Sequence, residues 1–273
     1  MASREIFMEI LVCASDYFRI EYEINPWMDV SNNADRSEVL IQYRKLLDTF
    51  ARAGVKFHGI EPNPKFPDMV YTANYGFITG KKFIKANFKY EQRRGESALA
   101  EKYFRQLGYK IYALPDKIYF EGEGDLLSSG NTYFVGWGKR TMKEVVPHLK
   151  DILNGEVIDL ELVDPYYYHL DTCFAPLNEK TVVINPNSFT KRGIEKIHNH
   201  FTNVILTSEQ DNKVLACNMV VCGKNIIVGE GVSTKFKTDL FSYGYHIFET
   251  PMSQYIKGGG GVKCCSLIIN NAA

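Results

Sequence analysis

GVKFHGIEP (54–62), GYKIYALP (108–115), GEVIDLELVDP (155–165), TNVILTSEQ (202–210) and GYHIFETP (244–251) are five variations on one cadence. Each follows a helix-like stretch, alternates in polarity as a strand does, and in four cases stops at a proline. After each comes a β-rich segment broken by turn residues. Four are complete hairpins: TANYGFITGKKFIKANF (72–88), GEGDLLSSGNTYFVGWG (122–138), LDTCFAPLNEKTVVINPNSF (170–189) and ACNMVVCGKNIIVGEG (216–231). The fifth, GGGGVKCCSLII (258–269), supplies one strand, and REIFMEILVCA (4–14) is the partner expected to pair with it.

Helical patterns such as SEVLIQYRKLLDTFARAG (37–54) and GESALAEKYFRQLG (95–108), with apolar residues three and four apart, fill the gap before the next strand. The repeating unit is therefore strand, hairpin, helix, and five units around an axis would bring their loops to one central cavity. An open α/β sheet without symmetry is the alternative.

Bulk properties narrow the function. The 273 residues, 45% of them hydrophobic, suffice for a sizeable core, and one domain over 1–273 is expected. Lys+Arg and Asp+Glu both number 32, so no net field gathers nucleic acid or anionic lipid. The start, with the charge pair Arg4 and Glu5 before a short apolar run, lacks the form of a secretory leader, and no stretch reaches membrane-helix length. The 6 cysteines are too sparse for a disulfide scaffold and form no CxxC pair, which predicts reduced thiols, no structural zinc and a cytoplasmic protein. A small-molecule partner is expected, and association into a homo-oligomer is compatible with the sequence.

Polar residues collect where the hairpins begin: FPDMVYTAN (66–74), FEGEGD (120–125), YHLDTCF (168–174) and KGGGGVKC (257–264). Cys264 follows four glycines, a suitable place for an exposed nucleophile, although a free cysteine is often only a small buried hydrophobe. A thiol reacts as thiolate, so it needs a base or a cationic substrate that lowers its pKa. His169 is the best base available, sharing a strand face with Asp171 two residues on. Glu121, Glu123 and Asp125 alternate with glycine, and three like charges on one face would repel unless a cation binds; a solvated turn or a backbone-bonding role is the plainer reading for Glu123 and Asp125. Phosphate cradles are disfavoured, because no GK[ST] follows the glycines.

Together INPWMD (24–29), FPDMVYTAN, FEGEGD, YHLDTCF and GGGGVKC resemble, in order and over nearly the whole chain, the guanidino-group-modifying superfamily of arginine deiminases, dimethylarginine dimethylaminohydrolases, amidinotransferases and arginine dihydrolases. The arginine dihydrolase catalytic domain looks most similar. The resemblance implies the pentein fold, a five-bladed pseudo-symmetric α/β propeller of ββαβ units. It implies Cys264 as nucleophile, His169 as general acid/base, Asp171 and Glu121 as carboxylates for the guanidinium, and Arg93 and Arg140 as holders of the substrate's α-carboxylate. Asn25 in INPW lies where other substrate contacts gather. Glu123 is the alternative to Glu121 as the catalytic carboxylate.

Cys265 stands where the family usually has an apolar residue, and CASDYF (13–18) lacks the Arg-Pro or Pro-Pro often found there. The implied reaction is attack on the guanidinium carbon to a covalent thiouronium, with no metal or organic cofactor. Asn74 occupies a position where deiminases and dimethylarginine hydrolases usually carry Asp. An amide there can face a neutral ureido group, which points to arginine dihydrolase: arginine to ornithine, two ammonia and carbon dioxide. Dimethylarginine hydrolase or deiminase activity, an amidinotransferase and a non-catalytic ring-shaped binding protein are the alternatives.

Overall fold

The computed structural model describes residues 8–270. Arg4 and Glu5, with the rest of the expected partner strand before residue 8, lie outside the described residues. Fifteen strands form five sheets of three. In chain order come β1 (Glu9–Cys13), then the hairpins β3 (Gly76–Thr79) with β4 (Lys82–Lys85), β6 (Leu126–Ser129) with β7 (Thr132–Trp137), β9 (Phe174–Asn178) with β10 (Thr181–Ile184), and β12 (Val220–Cys222) with β13 (Asn225–Gly229); β1, β4, β7, β10 and β13 are the central strands. Each central strand pairs on one side antiparallel, within its hairpin in four sheets, and on the other side parallel to a third strand. The third strands are β2 (Lys56–Ile60), β5 (Lys110–Tyr112), β8 (Glu156–Glu161), β11 (Asn203–Leu206) and β14 (His246–Thr250).

These third strands are the five repeats first recognised in the sequence. The parallel pairing requires a crossover, supplied in turn by the helices α1 (Arg36–Arg52), α2 (Glu91–Gln106), α3 (Val145–Ile152), α4 (Lys191–His200) and α6 (Thr234–Ser242). Short helices α5 (Glu209–Lys213) and α7 (Ser253–Ile256) lie in the connections. Helix α2 starts at Glu91 rather than Gly95, because its polar first turn carries little periodicity to read. In the first unit β15 (Leu267–Asn270) runs antiparallel to β1, with Ile10 opposite Ile268 and Leu11 opposite Leu267.

Central strands are buried on both faces, as in β10 with all four residues inside, whereas third strands alternate or face water, as in β2. The apolar residues form five clusters, each joining two neighbouring units. One unites Phe134, Leu170, Phe174 and Phe201 from the third and fourth units; another unites Val12, Phe50, Val220 and Ile227 from the first and fifth. Packing thus continues from the last unit back to the first. No helix among the described residues is long and apolar enough to cross a membrane.

Candidate active site

The hairpins are entered through tight turns, and these carry the polar residues. Single 3₁₀ turns at Thr72–Tyr75, Gly122–Gly124 and Leu170–Thr172 precede β3, β6 and β9. This corrects the strand expected at YHLDTCF: Thr172 N–H donates to the His169 carbonyl and Cys173 N–H to that of Leu170, so the backbone coils before β9 begins. His169 and Asp171 consequently reach different partners.

Cys264 lies in the turn before β15, 2% exposed. Its thiol donates to Asp171 Oδ2 at 3.3 Å. Asn218 Nδ2 donates to Sγ at 3.1 Å and to the Asp171 carbonyl at 3.2 Å. Asn218 Oδ1 accepts from the backbone N–H of Gly261 and of Cys264, both at 3.0 Å. The nucleophile expected to be exposed is thus buried; what the glycines provide is backbone freedom and close packing, Gly259 having φ +88° and a Cβ there lying 2.6 Å from the Tyr168 hydroxyl. Burial pushes the Cys264 thiol well above its usual pKa, and the Asp171 charge adds to the effect. Asp171 is itself pushed up to about 6 by burial, against the pull of Lys263, and its Oδ1 is buried without a hydrogen-bond partner.

His169 Nε2 lies 2.8 Å from Glu121 Oε2, which also accepts from Arg140 Nη1 at 2.8 Å. Burial would raise the Glu121 pKa, but Arg140 and His169 outweigh it and hold the carboxyl below its ordinary range. The three acidic residues of FEGEGD do not share one face. Glu123 turns away to pair with Lys263 Nζ at 2.6 Å and accepts from Ile268 N–H, tying this turn to β15. Asp125 accepts from Thr141 Oγ1 at 2.7 Å and from Leu170 N–H. Both are buried and backbone-bonded, so the solvated turn is excluded. Gly124 allows the turns to close up, since a Cβ there would stand 2.3 Å from Asn74 Nδ2 and 3.2 Å from the His169 ring.

Asn74 Oδ1 accepts from Arg93 Nη1 at 2.8 Å, and Asn74 Nδ2 faces the Glu121 carbonyl at 3.4 Å. Arg93, on the first turn of α2, is gripped by Glu96 through Nε at 3.0 Å and Nη2 at 2.7 Å, and Nη2 also reaches the Asp68 carbonyl. Arg140 is stacked between the rings of Tyr90 and Tyr168 at 4.7 and 4.6 Å and donates to the Ile24 carbonyl. Asn25 Nδ2 donates to the Tyr168 hydroxyl and the Gly258 carbonyl. Tyr22 donates to Asp68 Oδ2, so the segment holding Tyr22, Ile24 and Asn25 is fastened across the turns.

The expected residues thus fall into contacting pairs: Cys264 with Asp171, His169 with Glu121, Glu121 with Arg140, Asn74 with Arg93. No hydrogen bond joins His169 to Cys264 among those described. Sequence reasoning missed Asn218, Asp68, Tyr168, Glu96 and Lys263. A signal existed for Asn218, which stands two residues before β12 as Asn74 stands two before β3.

Known proteins are similar to this chain over nearly its whole length. The family model for eukaryotic N,N dimethylarginine dimethylhydrolase matches residues 18–270. The N(G),N(G)-dimethylarginine dimethylaminohydrolase of Mycobacterium tuberculosis is 35% identical over 93% of this chain and 83% of its own. The bifunctional arginine dihydrolase/ornithine cyclodeaminase ArgZ of Synechocystis is 32% identical over 95% of this chain, which spans only 37% of that larger protein. A crystal structure of the ArgZ N-terminal domain, a cysteine-to-serine mutant bound to substrate, superposes with TM-score 0.93 at 31% identity, covering 97% of this chain and 98% of that one. Fold, site and relatives together define a guanidino-group hydrolase of the pentein fold. Within that class the chain belongs to the N,N-dimethylarginine dimethylhydrolase family.

Proposed function

We propose that this chain hydrolyses the guanidino group of L-arginine in two rounds, giving ornithine, two ammonia and carbon dioxide. The carrying observation is the amide of Asn74. A guanidinium offers no acceptor, so the Arg93 contact fixes Oδ1 toward Arg93 and leaves Nδ2, held only by a 3.4 Å contact, as a donor beside Glu121. A donor there suits the oxygen of a neutral ureido group and so supports a second round on citrulline. The likeness to the ArgZ N-terminal domain supports the same reading.

In this reading the guanidinium binds the free Oδ1 of Asp171, next to the thiol on Oδ2. The cation offsets the Asp171 charge and favours the thiolate. Sγ attacks the guanidinium carbon, His169, oriented by Glu121, gives a proton to the departing ammonia, and a thiouronium remains. The imidazole then takes a proton from water, whose oxygen adds to the same carbon, and the C–S bond breaks to release citrulline and the thiol. Asp68, with its own buried unpartnered Oδ1 near Arg93 and Arg140, suits the α-ammonium of the substrate.

The family match and the mycobacterial relative favour dimethylarginine as the competing substrate, with one round and loss of dimethylamine. Amino-acid analysis after incubation with arginine decides between them, with Cys264→Ala as control. Ornithine with about two equivalents of ammonia, absent from the control, supports the proposal. Citrulline alone, or turnover of dimethylarginine only, overturns it.

A further inference from the structure

We propose that Asn218 is the hydrogen-bond donor that stabilises the Cys264 thiolate, besides holding the nucleophile's loop. The inference rests on Cys264 being the nucleophile, but on neither the substrate nor the number of rounds. Its first support is that the amide can stand only one way round. Oδ1 accepts two backbone N–H groups, from Gly261 and Cys264, which occupies both lone pairs. The NH₂ group then faces two acceptors, Sγ and the Asp171 carbonyl. Turning the amide over would set N–H against N–H and carbonyl against carbonyl, so the donor toward sulfur is assigned by the network itself.

The second support is the balance of charge around the sulfur. Asp171 from the fourth unit's turn and the adjacent Cys265 both disfavour the thiolate, Tyr71 before β3 and Tyr168 stand within its electrostatic reach, and the Gly261 backbone N–H favours it. The phenols are committed elsewhere, Tyr71 donating to the Tyr255 carbonyl and Tyr168 to the Gly259 carbonyl. Lys263 is paired with Glu123 and the Ser266 carbonyl.

When the thiol loses its proton, the contact with Asp171 turns from a hydrogen bond into a clash of anions. The Asn218 contact becomes charge-assisted and strengthens. Of the two side chains hydrogen-bonded to sulfur, Asn218 alone favours the reactive form. It does so from the fifth unit, next to the unit whose turn carries Asp171 and His169.

The test measures thiolate without turnover. Alkylation of Cys264 by iodoacetamide is followed by mass spectrometry of its peptide over roughly pH 7 to 9, in wild type, Asn218→Ala and Asn218→Asp, because the rate tracks the thiolate fraction. Aspartate keeps both acceptor contacts to the loop, removes the donor and adds a negative charge. The expected order is wild type fastest, alanine slower by about tenfold and aspartate slower still. If Asn218 only holds the loop, alanine loosens it and alkylation accelerates, whatever the added charge does in the aspartate variant; that result overturns the proposal. Should the aspartate variant fail to fold, alanine alone decides by the sign of its change. Failure of the nucleophile assignment shows separately, as turnover that survives in Cys264→Ala.

Discussion

Arg93 Nη1 stands 2.8 Å from Asn74 Oδ1, and that bond decides which end of the amide the site receives. An aspartate at 74 would pair with Arg93 through one oxygen and present the other, negative, where Nδ2 now lies. Asn74→Asp is expected to lower ornithine formation by at least about tenfold while citrulline still forms, because a ureido oxygen then meets an acceptor. Product ratios at fixed turnover measure this.

Gly124→Ala tests the same contact sterically. The new methyl would sit 2.3 Å from Asn74 Nδ2, and both that amide and the His169 ring must move. Stability should fall by about 1–3 kcal/mol in a denaturant titration, the usual cost of overpacking. Activity with arginine should fall at least tenfold, roughly the penalty of misplaced catalytic groups.

Glu121 and Glu123 are both buried carboxylates, yet only Glu121 touches His169. Glu121→Gln should cost about 100-fold in kcat. Glu123→Gln should leave kcat within about tenfold of wild type but lose about 3 kcal/mol of stability, since Lys263 stays charged and buried without its partner. Replacing Lys263 by Met in the same chain should restore part of that loss. The Glu121 carboxyl, held below its unfolded value, contributes stability that is present above about pH 4.5 and is lost as pH falls through its folded pKa. The acid limb of the wild-type stability curve should therefore be shallower in Glu121→Gln.

Asp171 has the opposite linkage. Burial raises it from 3.8 to about 6, so the folded protein holds this proton where the unfolded chain has released it. Stability conferred by the neutral form is complete below pH 3.8 and declines until about pH 6. Asp171→Asn should be the more stable protein above that range, by about 1–3 kcal/mol, and should lose turnover. Thermal unfolding of both proteins across pH 3 to 8 checks the sign.

Much of the fold was legible because four of the five third-strand segments end at a proline, as in GYHIFETP, whose strand runs from the exposed His246 to the buried Thr250. The residues of the site were legible as types, and their pairings were not. His169 and Asp171 alternate as strand residues do, and a three-residue 3₁₀ turn leaves no periodicity to betray it. Asn218 was marked only by its place two residues before β12, and its meaning depends on Cys264, 46 positions further on. The pairing of Arg93 with Glu96, three apart on α2, was the one second partner that helix geometry could have supplied.

The pairing of β15 with β1 has a consequence for the life of the chain. Cys264 is seated by Asn218 in front and anchored by the strand just behind it, whose partner lies at the other end of the described residues. During synthesis some two hundred and fifty residues must emerge before that strand can dock, so this closure is a late, long-range step of the kind that slows folding. Until then no unit holds a complete site. On the proposed mechanism, the Cys264 thiol is armed only once β15 has docked on β1, and a chain still short of that strand cannot begin to consume substrate.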